Sequence, residues 1–462
     1  MAKLNNISAS IYEKFKNLIS ISKVREEIDR KLFSRDRVFT FETLIHSFIF
    51  KAERGFQCGD KKAISLLFAN RFFDKKVKEP PTKQGYNKAI DKIPFEAVNK
   101  LSKELYNMEY KDNKELYRGM RIIIPDGTLC NLPRTDETIE KIGLGSGSQG
   151  DAYYPQARIV GFYDLSTGLF ESLEWKHYKT SERSFLLDHA KENQTHTLYI
   201  ADAGYTGMAV CAIVKFMHGQ DLLIHANEQS KLIKKFRKSR KRSEVFNIKI
   251  TNVHLQNYPE YKHLKDKTIT IRLIRTKGTT KLKSMILITT LLDEKEFKWQ
   301  ELSKLYLQRY KVELAFRHLK KNIKIEKINK VKFNRIMQLF YAGGLLFNLS
   351  VVLRNVVKKP SIMPEPSGTK VYCLELCTEF VEKIISFVKL DKNQFEIVLE
   401  QYILAIKSCY SISRRWRVYP RICQTSASVF TRQKLSRKNS ELKKVEFMRT
   451  EYKILQNKYA IL

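Results

Sequence analysis

The order of apolar runs between residues 121 and 225 constrains this 462-residue chain more than any other feature. Residues 121–124 form a β-branched run that ends at Pro125 and Asp126. Residues 157–163 and 169–175 read as two strands joined by a turn at Ser166, Thr167 and Gly168. Residues 181–193 read as a helix that Ser181 can cap and that Glu182 and Arg183 open. Residues 197–201 form a strand running into Asp202, residues 206–217 a helix, and residues 221–225 a further strand. Three strands, a helix, a strand, a helix and a strand fit an RNase H-like α/β catalytic core.

The remainder sets the flanks. Residues 1–115 read as helical, with Pro80, Pro81 and Pro94 breaking the periodicity. Residues 226–296 interrupt the α/β texture with a basic run and strand-like stretches at 246–251, 268–275 and 284–291, an expected all-β insertion. The α/β texture resumes over 297–360. Residues 363–370, MPEPSGTK, read as a linker, and 371–462 as a helical C-terminal region. The expected architecture is α/β: a core in two parts, 116–225 and 297–360, split by the insertion and flanked by helical N- and C-terminal regions.

Lys and Arg number 85 against 49 acids, a formal net charge of +36. Such an excess repels itself in a compact fold, and a polyanion relieves it. Nucleic acid is the first expected partner and an acidic membrane surface the second. The seven cysteines are scattered without a CxxC pair, which argues for a reducing compartment over disulfides or zinc. Residues 336–353 approach membrane length, but Gln338, Gly343, Gly344, Asn348 and Ser350 interrupt them, so a buried core helix is expected. The N-terminus lacks the apolar core of a signal peptide. A cytoplasmic protein without a membrane partner is the expectation.

The chemistry starts from a helix. ELSKLYLQRYKVELAFRHLKKN contains no Gly or Pro, and at about 100° per residue Tyr306, Arg309, Glu313 and Lys320 share a stripe about 60° wide. Leu305, Val312, Ala315, Phe316 and Leu319 make an apolar face, while Lys304, Lys311, His318 and Lys321 point a third way, as solvated residues would. Asp126 and Asp202 each close an apolar strand, in RIIIPDGTL and LYIADAGYTG, where Gly204 permits a tight turn. Each Asp alone reads equally well as an ordinary turn residue. Their strands can lie side by side in an RNase H-like sheet, and a helix across it can bring Glu313 to the same place. Three clustered carboxylates repel one another unless divalent cations intervene, and Mg²⁺ or Mn²⁺ suits such oxygen ligands. Two ions can activate an attacking oxygen and neutralise a leaving one.

Asp126-Gly127-Thr128, Asp202-Ala203-Gly204-Tyr205 and Tyr306-xx-Arg309-xxx-Glu313-xxxxxx-Lys320 together resemble the DDE transposases of the insertion-sequence 4 family. The last pattern is similar to that family's Y-R-E-K signature at all four positions. The resemblance runs from about residue 40 to residue 350. It implies metal-dependent cleavage at the ends of an insertion sequence and strand transfer into target DNA, by a homodimer on paired double-stranded ends. Asp126, Asp202 and Glu313 would bind two Mg²⁺ or Mn²⁺ ions, Tyr306 and Arg309 would hold phosphates near the cut, and Lys320 a further one. The N-terminal helices would bind DNA and the C-terminal region is a candidate for dimerisation. The chain departs from the family pattern at Ala203, where Arg is frequent, and at Met285, where hairpin-forming relatives carry a stacking aromatic.

Beyond the core, residues 231–242 hold eight basic residues in twelve, including Lys234, Lys235, Arg237 and Arg240. They are expected to grip a phosphate backbone or to form a solvated loop. Residues 411–444 carry ten Lys or Arg against one acid, a second candidate contact. Two rivals stand beside the transposase: a domesticated DNA-binding protein retaining the fold, and an RNase H-like metal-dependent nuclease or junction resolvase.

Overall fold

The computed structural model describes residues 38–73, 77–147, 150–227, 229–239, 241–277, 284–387 and 392–413, with Lys14 and Leu18. The chain divides into two units, the larger being Met1–Glu365 with Tyr372–Tyr410. Among the elements described in full, helices Phe41–Glu53, Asp60–Ala69, Lys83–Ile90 and Phe95–Asn113 come first. Thr40 and Thr82 cap two of them by accepting from the N–H groups of Thr43 and Gly85.

The strands of the main sheet are β1 (Arg121–Asn131), β2 (Leu144–Gly147), β3 (Gly150–Asp164), β4 (Phe170–His177), β5 (Thr197–Ala201), β6 (Asp221–His225), β7 (Ser243–Lys249), β8 (Thr268–Arg275) and β9 (Ile286–Thr289). They form one nine-stranded sheet in the order β2–β3–β1–β5–β6–β9–β8–β7, with β4 also paired to β3. β1, β5 and β6 are mutually parallel, while β3, β4 and β9 pair antiparallel with β1, β3 and β6.

β1 does not stop at Pro125 and Asp126 as its sequence implies. Its pairing with β5 ends at Ile123, but its pairing with β3 runs on to Asn131. The Ile122 carbonyl accepts from Leu165 on the β3 side, so by alternation the Pro125 nitrogen faces the side without a partner strand. A missing N–H disrupts no ladder there. Asp126 therefore sits inside a strand, opposite Gly161, on an edge left open beyond β5.

Alternation along β1 also feeds two cores. Ile122 and Ile124 join the N-terminal helices and helix Phe333–Val357 on one face, while Ile123 joins helices Glu182–Glu192 and Met208–Ala212 on the other. Helix Phe333–Val357 is apolar and long enough to cross a membrane, yet its most apolar stretch is wholly buried in the protein, as expected of a core helix. Two of the polar residues that interrupt its sequence, Gln338 and Asn348, bond the backbone of neighbouring elements. Asn348 accepts from the Phe170 N–H and donates to the Phe170 carbonyl, each at 2.9 Å. Gln338 donates to the Ile90 carbonyl at 2.8 Å. A Cβ on Gly344 would lie 2.7 Å from Leu173 Cδ1, so the glycine lets this helix press onto β4.

The segment between β6 and the resumed core is not all-β. It holds β7, β8 and β9, but also helix Lys231–Lys238 and short helices at Asn252–Leu255 and Pro259–Leu264. Helix Lys231–Lys238 forms because Ile233 and Phe236, three residues apart, bury on one face while Lys234, Lys235 and Arg237 stay exposed. Arg275 ties its C-terminal end by donating to the carbonyls of Phe236 and Ser239 at 2.5 and 2.6 Å. Nor does the segment form a separate sheet, since β9 pairs with β6 and β8 with β9.

The second unit comprises Pro366–Val371 and Ser411–Leu462. Its described residues pair by Gly368 N–H to the Ser413 carbonyl and Ser413 N–H to the Thr369 carbonyl, at 2.7 and 2.8 Å. The basic stretch from residue 414 onward lies outside the described residues, as does Arg240.

Candidate active site

The helix that carries Glu313 is continuous in course but not in pitch. Helix Trp299–Tyr306 tightens through a 3₁₀ turn at Leu307–Arg309, continues as helix Tyr310–His318 and loosens into a π turn at Leu319–Ile323. Lys324 ends it in the left-handed region at φ 63°. Leu302, Leu305, Val312, Ala315, Phe316 and Leu319 bury, which lays the segment on the face of β1 that carries Asp126.

Its polar stripe is held by charge. Tyr306 lies in the field of Arg309, and Arg309 Nη2 donates to Glu313 Oε1 one turn further on. Tyr306 is buried beside His225 at the end of β6, its ring 6.3 Å from the imidazole. Burial and the carboxylates of Asp202 and Glu313 push its phenol up to about 12, against the opposing pull of Arg309. Arg309 is held firmly protonated: burial works against its charge, but Tyr306, Glu313 and Asp126 outweigh it.

Asp126 lies within the field of all these groups. Burial pushes its carboxyl up to about 7; Arg309 offsets part of that, and the charges of Asp202, Glu182 and Glu313 add to it. Asp202 follows β5 and caps the 3₁₀ turn Ala203–Tyr205, its Oδ1 accepting from the Gly204 N–H at 2.8 Å. A Cβ on Gly204 would stand 3.0 Å from that oxygen, so the glycine leaves the carboxylate room. Arg183 Nε straps the same turn by donating to the Gly204 carbonyl at 2.9 Å.

At the open edge of β1 the charges of both Asp202 and Glu313 act on Asp126. Among the described residues, no three His, Cys, Asp or Glu side chains are set at metal-ligand geometry, and Glu313 is turned onto Arg309. The donor set nevertheless fits a hard divalent cation: several carboxylates, one of them resisting ionisation, face a single guanidinium.

Lys320 stands apart from this group. Its Nζ donates to the Leu129 carbonyl at 2.8 Å and pairs with Glu326 at 3.2 Å, further along β1. Two residues expected in solvent are not there. His318 is buried with Nε2 3.0 Å from Thr378 Oγ1 on helix Leu374–Phe387, and burial holds its imidazole down at about 4. Lys311 donates to the Ser361 carbonyl at 2.8 Å, and burial lowers its ammonium to about 8. A helical wheel for one segment cannot register that later elements cover its third face. Met285 is half-buried against the core and exchanges hydrogen bonds with Thr276.

Sequence reasoning passed over Arg158 and took Glu182 and Arg183 only as the opening of a helix. The structure sets Arg183 on the Asp202 turn and pairs Glu182 with Arg158 Nη1 at 2.6 Å, against Gly127. A charged pair placed immediately after a Ser cap was the only signal.

A family model described as "Transposase DDE domain" matches residues 117–349. The chain is 22% identical over 205 residues to "Transposase InsG for insertion sequence element IS4" of Escherichia coli (strain K12), covering 44% of this chain and 45% of that protein. It thus spans about half the length of the curated relative it matches. Among solved structures, a piggyBac transposase synaptic complex with hairpin DNA aligns at 10% identity and a TM-score of 0.43, covering 86% of this chain and 85% of the other. A Drosophila P element transposase strand transfer complex aligns at 11% identity and a TM-score of 0.23, covering 86% and 88%. Both scores are too low to argue a shared fold.

Proposed function

The chain belongs to the transposase DDE domain family and is kin to the insertion-sequence 4 transposases, and from that premise we propose that it cleaves DNA at the ends of an insertion sequence and joins them to target DNA. Asp126, Asp202 and Glu313 are the proposed catalytic carboxylates. The observation that supports the reading is that the charges of Asp202 and Glu313 both act on Asp126 at the open edge of β1, with Arg309 donating to Glu313. The order β4–β3–β1–β5–β6, with only β3 running against β1, supports an RNase H-like core.

Asp126, Asp202 and Glu313 would hold the divalent cations, Mg²⁺ or Mn²⁺ and two in number, which supply activation of the attacking oxygen and neutralisation of the leaving one. Arg309 would turn its planar fork from Glu313 to a DNA phosphate, freeing the carboxylate as the nucleic acid arrives. Tyr306 fixes the orientation of that guanidinium and offers its hydroxyl to the same strand. Lys320, set further along β1, would take a phosphate away from the cut. Lys234, Lys235 and Arg237 on the insertion helix, with Arg240 beyond it, would track the backbone of a bound duplex. The protein would act in the cytoplasm as a homodimer on two paired ends, with residues 1–115 contributing to DNA binding and 371–462 to assembly.

The test is direct. Purified protein and a Glu313→Ala variant are incubated with labelled element-end DNA and Mg²⁺. Nicking at the end followed by joining to a second duplex, absent in the variant, is expected. Nicking without joining would make the protein a nuclease, and binding without nicking a DNA-binding protein that kept the fold.

A further inference from the structure

A fourth carboxylate reaches the Asp126–Asp202 edge from the opposite face of the sheet. Glu182 opens helix Glu182–Glu192, whose start is set by the Ser181 cap. Side chains alternate along β1, so Asp126 faces the layer of the Glu313 helix and position 127 faces the layer of the Glu182 helix. A Cβ on Gly127 would stand 2.3 Å from Glu182 Oε1 and 2.6 Å from Oε2. The carboxylate thus occupies the space that any side chain at 127 would fill, one residue along from Asp126. Only glycine admits it there.

Glu182 is held as Glu313 is held. Its Oε1 accepts from Arg158 Nη1 at 2.6 Å, while Arg158 Nε donates to the Tyr178 carbonyl at 3.2 Å. Two Glu–Arg pairs, Glu313–Arg309 and Glu182–Arg158, therefore flank Asp126 from the two faces of the sheet. In both, the partner is an arginine on the edge of solvent: Arg309 keeps 21% of its side-chain exposure and Arg158 26%. A guanidinium so placed can exchange a carboxylate for a phosphate without leaving its site. The carboxylate it releases then lies among other acids and needs a cation.

We propose that Glu182 is a fourth carboxylate of the divalent-cation site, masked by Arg158 in the metal-free chain. This rests on the reading of Asp126, Asp202 and Glu313 as cation ligands. Divalent cations of this class take six or more oxygen ligands each, and a fourth acid supplies ligands that three leave to solvent.

Mn²⁺ titrated calorimetrically into the full chain tests it. Glu182→Gln should weaken Mn²⁺ binding about tenfold, with no fall in the unfolding midpoint measured in chelator. Gly127→Ala, which displaces the carboxylate and removes none, should weaken it in the same direction. Arg158→Gln, which unmasks Glu182, should tighten it; this variant keeps the proposal testable if Glu182→Gln folds poorly. Wild-type Mn²⁺ binding by Glu182→Gln, with binding lost in Asp126→Asn, would overturn the role of Glu182 and leave the three-carboxylate site standing. Wild-type binding by both variants would overturn the metal reading itself and this proposal with it.

Discussion

Arg309 donates to Glu313 from one helical turn before it, and the same guanidinium acts on Tyr306 and Asp126. One cation thus ties the third acid of the site to its own helix. Arg309→Lys keeps the charge but loses the planar fork that grips the Glu313 carboxylate. The expected outcome is a fall of about 10²-fold or more in end cleavage, with Mn²⁺ affinity maintained because no carboxylate is removed. Single-turnover cleavage and calorimetry on the same preparation check both halves.

Asp126 carries a different expectation. In the absence of metal its carboxylate is penalised by burial and by Asp202, Glu182 and Glu313. Asp126→Asn removes that repulsion and should stabilise the metal-free protein by about 1 kcal/mol. The same change should abolish the gain in unfolding temperature that added Mg²⁺ gives the native protein. Thermal unfolding in chelator and in excess Mg²⁺, for both proteins, reads the two effects; a variant less stable in chelator would count against the electrostatic account.

The pattern of what was legible follows from where each residue's environment is decided. The stripe of Tyr306, Arg309 and Glu313 is local to one helix, so spacing alone placed it. Lys320 belonged to the same stripe on an ideal wheel, but it lies about two turns beyond Glu313, within the π turn at Leu319–Ile323. The acids at the ends of apolar runs were visible because β-branched runs mark buried strands. That β1 continues past Pro125 was not visible, since it depends on the pairing with β3 that runs on to Asn131. Helix Lys231–Lys238 was hidden by its charge, which masked the Ile233 and Phe236 anchor. Glu182 needed the third dimension: only the packing of its helix on β1 shows why residue 127 lacks a side chain.

Acid stability should depend on a cluster far in sequence from the site acids. Asp60 accepts from Lys51 at 2.6 Å and from Lys330 at 2.9 Å, joining two N-terminal helices to the segment before the core helix. Burial raises its carboxyl, but the two ammonium groups outweigh that and hold it at about 2. A folded value below the unfolded one means the contribution is present above about pH 4 and is lost as pH falls through about 2. Its size is about 2 kcal/mol. Asp60→Asn should lose at least this much at neutral pH, because Lys51 is only 2% exposed and would be left unpaired. Urea unfolding across pH 2–7 should show the wild-type curve approaching that of the variant only at the acid end.

The insertion helix offers a prediction that separates general DNA affinity from chemistry. Lys234, Lys235 and Arg237 lie exposed on helix Lys231–Lys238, while Ile233 and Phe236 anchor it. Changing the three to Gln leaves the anchor and the Arg275 cap intact, so the helix should persist with unchanged thermal stability. If they neutralise phosphates, each released counterion contributes about 0.9 to the slope of log affinity against log salt. The triple variant should therefore bind duplex DNA more weakly at every salt concentration, with the slope reduced by about 2–3. Cleavage of DNA already bound, measured at saturating protein, should remain close to wild type. An unchanged slope would remove this helix from the DNA path and leave its charge as a solvated surface.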